Sequence, residues 1–117
     1  MPKAVGYMFG DGNWVAGSVL TNPADQAVLV DTGALPAGIY LIGISAATSV
    51  TAVYDIQHRD AANAANLHAQ RRRPGAGSDD FLAPNKITIA TGERIRCILQ
   101  GAIVGEIQVS VFYQETA

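Results

Sequence analysis

At 117 residues the chain has the length of one ordinary domain, enough to bury a core without disulfides or metal. Charged residues make up 15% and hydrophobic ones 49%, against a usual charged share of about 25%, so either part of the surface meets protein rather than water, or much of the apolar share is alanine, which sits on surfaces cheaply. A net charge of −2 argues against a whole-domain electrostatic grip on nucleic acid, and no run approaches the ~20 apolar residues of a membrane helix.

The opening stretch "MPKAVGYMFGDGNW" lacks an apolar run of signal-peptide length, which leads us to expect folding in a reducing cytoplasm without an export signal. Its Gly-Asp-Gly-Asn stretch reads either as a hairpin turn around Asp11 or as a wandering arm. Residues 1–13 are therefore set apart from a single domain over 14–117.

Short runs of alternating apolar residues follow, broken by glycine, proline and asparagine. "QAVLVDTG" from Gln26 is a strand entering a turn, and "LPAG" from Leu35 resets the chain, because proline fixes φ and glycine accepts what other residues resist. "IYLIGISAA" from Ile39 is apolar on both faces, as expected for a central strand covered on both sides. In "SVTAVYDIQHR", Val50, Ala52, Tyr54 and Ile56 fall on one face, with His58 at its end; Asp55, Gln57 and Arg59 fall on the other. His58 is expected to pack at the sheet rim as a hydrogen-bonded histidine.

The last third repeats the pattern. "KITIAT" leads to "RIRCILQG", where Ile95, Cys97 and Leu99 point one way while Arg94, Arg96 and Gln100 point the other. In "GEIQVSVFYQ", Ile107, Val109, Val111 and Tyr113 face inward, and Glu106, Gln108 and Ser110 face outward. Cys97, the only cysteine, sits in an apolar run and reads as a small buried hydrophobe. The expected fold is all-β: an antiparallel β-sandwich, jelly-roll-like, with a short helical turn or loop near 60–70.

That last element lies in "QHRDAANAANLHAQRRRPGAGSDD", Gln57 to Asp80, the stretch least like the rest of the chain. Asp60 is a good N-cap and alanine the best helix former, but a face of Ala61, Ala64, Ala65 and Leu67 buries little, so a turn or two of helix or a compact loop is expected. "PGAGSDD" has the composition of a flexible surface loop, where Asp79 and Asp80 would be solvated. His58 and His68 lack any zinc-ligand spacing, and no nucleophile-elbow motif occurs, so neither a metal nor a catalytic centre is expected. Arg71, Arg72 and Arg73 repel one another unless solvated or matched to carboxylates, phosphate or carbonyls. The run is expected first to be merely solvated, next to contact a protein partner, and least to hold nucleic acid, since no aromatics are interleaved for base stacking.

"LPAGIYLIGIS", "YDIQHRDAANAANLHAQ" and "TGERIRCILQGAIVGEIQVSVFYQ" together resemble a family of small β-sandwich capsid decoration, or cement, proteins of tailed bacteriophages. The resemblance covers Leu35 to Ser45, Gln57 to Gln70 and Thr91 to Gln114, roughly half the chain. It implies a structural, non-enzymatic virion protein, assembled in the host cytoplasm, that binds the outer capsid surface and bridges major capsid subunits as a homotrimer. No cofactor, metal, nucleic acid or membrane is implied. On that reading Arg59, Arg71, Arg72, Arg73 and Trp14 are the candidates for capsid or subunit contact. A second reading is a carbohydrate- or receptor-binding module of a phage tail or head fibre, in which an exposed Trp14 beside Asp11 and Asn13 would form the platform.

Overall fold

A computed structural model of the protein describes residues 12–116. The expected hairpin around Asp11, and most of the 1–13 segment, lie outside the described residues. Ten strands follow in order: β1 (Asn13–Ala16), β2 (Leu20–Thr21), β3 (Val28–Asp31), β4 (Gly38–Thr48), β5 (Tyr54–Arg59), β6 (Asn66–Arg72), β7 (Gly77–Leu82), β8 (Ile87–Ile89), β9 (Arg94–Leu99) and β10 (Glu106–Thr116). Every pairing between them is antiparallel.

The strands form two sheets. In one, β10 and β4 run side by side over a long register, with β1 and β2 along the far side of β10 and β7 and β8 along the far side of β4. In the other the order is β3-β9-β5-β6. With β1 and β2, and likewise β7 and β8, taken as broken edge strands, the chain crosses between sheets at nearly every connection and stays in one sheet only at the β5–β6 hairpin. That is the double-sheet jelly-roll path, in which neighbours in space are seldom neighbours in sequence.

Alternation explains the packing. Ile107, Val109 and Val111 of β10, Tyr40, Ile42 and Ile44 of β4, and Ile95, Cys97 and Leu99 of β9 all point between the sheets and are at most 4% exposed. Burying each such side chain contributes about 1.5–3 kcal/mol, so a one-residue slip of β10 would lose several of these terms at once. Tyr40 is held in the core with its Oη donating to Pro36 O at 2.8 Å, which ties the Leu-Pro-Ala-Gly turn to the strand it starts. Gly17, between β1 and β2, lies against the carbonyls of Leu29 and Val109 so closely that a Cβ would collide with both.

One expectation is met in its loop alternative and another needs correction. The segment near 60–70 holds no helix: a turn over residues 61–65 leads directly into strand β6. Alanine's helix preference loses because a face of Ala61, Ala64, Ala65 and Leu67 offers too little apolar area to dock a helix, whereas β6 pairs along the full length of β5. Nor is "PGAGSDD" a loop throughout, since Gly77 to Leu82 form β7 against β4. A third expectation holds in part: β4 is central, yet it is covered on one face only, and Ile39 is 47% exposed on the other.

Candidate functional site

The unusual segment builds the β5–β6 hairpin and the edge of one sheet. Arg59, at the end of β5, is 9% exposed. Its Nε donates to Asn63 Oδ1 at 2.9 Å, Nη1 to Asn66 Oδ1 at 2.8 Å, and Nη2 to Asn63 O at 2.7 Å. Asp60 Oδ1 accepts the Ala64 N–H at 2.7 Å, a bond that holds its carboxyl below the usual carboxylate range. Asn63 takes a left-handed φ of 55°, which asparagine tolerates better than most residues. Thus "RDAANAAN" is a turn wound around one guanidinium, and Arg59 positions that turn instead of reaching outward.

The three consecutive arginines separate because successive side chains of a strand point to opposite faces. Arg71 lies on the outer face, paired across the hairpin with Asp55, Nε to Oδ1 at 2.8 Å. Arg72 turns the other way and crosses to β7, where Nη2 meets Asp79 Oδ1 at 2.9 Å and the guanidinium sits 4.5 Å from the Phe81 ring centre. Arg73, beyond the strand, is exposed. Asp79 and Asp80 split in the same manner, since Asp80 Oδ1 accepts from Ser45 Oγ at 2.7 Å on the outer face of the other sheet. Neither is a merely solvated loop carboxylate, as the sequence alone suggested.

His58 is 7% exposed and packs at the rim as expected, with Nε2 2.9 Å from Glu93 Oε1. The same Glu93 oxygen accepts the Ala90 N–H at 2.8 Å. That backbone bond first, and His58 second, hold the Glu93 carboxyl below its ordinary value. His68 stacks on His58 with ring centres 5.8 Å apart. Beside them a cleft of about 150 Å³ opens between the sheet edges, lined by Ile42, Ile56, Phe81 and Ile87 among others. Among the described residues there is no group of three or more His, Cys, Asp or Glu placed to hold a metal.

Trp14 lies on the outer face of the larger sheet. Cross-strand register sets Trp14 opposite Phe112, Phe112 opposite Gly43 and Gly43 opposite Leu82, so the four share one row. Trp14 is 50% exposed with its ring tilted against Phe112, centroids 5.3 Å apart; Leu82 is 46% exposed.

No family model matches the chain, and no curated protein matches it. The surfaces themselves must therefore carry the functional reading. Besides the Trp14 row, sequence reasoning left one surface unassembled: the outer face of the β3-β9-β5-β6 sheet. Arg94 and Arg96 were legible as outward residues of β9, but only the register reveals that Arg94 stands opposite Arg59 and Arg96 opposite Gln57. No local pattern links residues so far apart in sequence.

Proposed function

We propose that the chain is a non-enzymatic structural protein that decorates a virus capsid, binding the outer surface and bridging major capsid subunits as a homotrimer. The observation that supports this reading best is the outer face of the larger sheet. Trp14, Leu82 and Ile39 stand about half exposed there, among small and neutral side chains such as Ala16, Ser45 and Ala47. Exposed apolar side chains on a sheet face whose charges are few, Asp80 and Glu106 among them, suit contact with protein, and repeated copies on a shell gain by multivalency what one contact lacks. A light-scattering mass of three chains, together with saturable co-sedimentation with capsids from the source that makes the chain, is the expected result. A stable monomer removes the trimer, and failure to co-sediment with capsids removes the decoration role.

The exposure of Trp14 also favours the second reading, a carbohydrate- or receptor-binding module, because a half-exposed indole on a flat face can stack against a sugar ring. Titration of Trp14 fluorescence with oligosaccharides discriminates the two. A saturable change abolished by a Trp14→Ala substitution, without capsid binding, would select the glycan reading.

A further inference from the structure

The outer face of the β3-β9-β5-β6 sheet gathers half of the basic residues of the sequence. Residues directly opposite in register share a face, as do residues two apart along a strand. Arg94 faces Arg59 across the β9–β5 pair, Arg96 follows two residues on, and Arg71 is reached through Asp55. The only carboxylates in these rows are Asp31, opposite Arg96, and Asp55, opposite Arg71. Four guanidiniums thus meet two carboxylates in these rows, with Asp60 acting on Arg59 as a third, and a local positive excess remains on a chain whose net charge is −2.

Those two carboxylates do not satisfy the arginines. Asp55 is taken by Arg71, and Arg94 reaches Asp31 only at 3.4 Å, a long contact. Arg94 Nε is buried with no hydrogen-bond partner. Arg96 donates its Nε to the neutral Gln57 Oε1 at 2.7 Å, and burial followed by the nearby Arg59 destabilises its charge. Like charges directly opposite on a sheet are unfavourable, so this face holds cations partly desolvated and under-neutralised. Carboxylates set against the accessible guanidinium edges would neutralise this excess, and part of the desolvation has already been met in the free protein.

We propose that this arginine face docks a carboxylate-rich surface of a protein partner, with Arg94 and Arg96 as the principal contacts and Arg59 as their fixed neighbour. The inference rests on the reading of the chain as a protein-binding module and adds the chemistry of the partner. Fixed guanidinium forks match pairs of Asp or Glu side chains. A nucleic acid fits less well. Its charge extends well past the Debye length of about 8 Å, so it would feel the acidic remainder of the chain, and no aromatic ring stands in these rows to stack a base.

A short polyglutamate peptide and a polythymidylate strand of matching charge are the probes, titrated at low ionic strength into the full chain while the arginine Nε–H resonances are followed. The peptide is expected to shift Arg94 and Arg96 first and to bind more tightly than the strand. An Arg94→Gln/Arg96→Gln variant, checked for an unchanged circular dichroism spectrum and melting temperature within a few degrees, should bind the peptide at least about tenfold more weakly. A charge-matched Arg73→Gln/Lys86→Gln variant should not. Equal loss in both variants, shifts confined to other residues, or preference for the strand would each overturn the proposal. Capsid binding by the unaltered chain that survives Arg94→Gln/Arg96→Gln would overturn the face assignment while leaving the decoration reading intact. Peptide binding at Arg94 and Arg96 without capsid binding would do the reverse.

Discussion

Arg72, on the free edge of one sheet, closes on Asp79 at the edge of the other, with Nη2 2.9 Å from Oδ1 and the guanidinium over Phe81. It is a clasp across the open side of the sandwich, with both partners only about a quarter exposed. Its neighbours have other roles. Arg71 makes a solvent-facing pair with Asp55, and Arg73 is exposed beyond the strand.

Replacing the three arginines one at a time by alanine should therefore give three different costs in urea denaturation. Arg72→Ala loses a forked ion pair and a cation–ring contact and is expected to cost about 1–3 kcal/mol. Arg71→Ala should cost about 0–1 kcal/mol, as solvent-exposed pairs do. Arg73→Ala should stay within about 0.5 kcal/mol of the parent. Equal costs for the three would contradict the assignment of Arg72 as the clasp.

The turn around Arg59 makes a second prediction. Arg59→Ala leaves the oxygens of Asn63 and Asn66 without their donor and should destabilise by about 1–3 kcal/mol, with lysine unable to restore the fork. Asn63→Val should add about 1–2 kcal/mol of backbone cost at φ 55°, whereas Asn63→Gly loses only the side-chain acceptor. If valine proves as mild as glycine at this position, the left-handed turn is not what fixes the hairpin.

How much of this was legible beforehand follows from burial. The inward sets of β9 and β10 could be read because one face is buried and the other is not, which imposes a period of two on residue choice. β6 carries no such imprint: nearly every one of its residues is exposed, so its sequence obeys no alternation and only pairing with β5 makes it a strand. The spacing of Asp60, Asn63 and Asn66 around Arg59 was the one local signal for a turn, since short polar side chains bond the backbone there and compete with helix. The arginine face was invisible for a different reason, because Arg59 and Arg94 meet through a pairing of strands distant in sequence.

Acid should loosen the Glu93 corner. The folded carboxyl titrates below its ordinary value of 4.5, chiefly through the Ala90 N–H and then through His58. Near neutrality and down to about that value its stabilisation is complete; it is then lost as pH falls through the depressed folded value, because the unfolded chain takes up the proton first. Asp25, held by the Gly101 N–H, and Asp60, held by Ala64, follow below 3.8 with the same sign. Urea midpoints across this acid range should decline less steeply in Glu93→Gln than in the parent. Parallel declines would show that Glu93 ionisation does not contribute.

Cys97 offers the last test, of the core itself. It is fully buried at the centre of β9, between β3 and β5, and burial pushes its thiol far up from the ordinary range, so the reactive thiolate is scarcely formed in the fold. Modification by a thiol reagent is expected to proceed only through unfolding, at a rate that rises with urea in step with the unfolding rate and is indifferent to reagent concentration once that is high. Cys97→Ser replaces a buried, weakly polar thiol by a hydroxyl that must be desolvated and should cost about 1–3 kcal/mol. Rapid labelling of the native protein, proportional to reagent, would mean that β9 opens locally and that the sandwich is less firmly closed at its centre than Ile95, Cys97 and Leu99, all nearly inaccessible, imply.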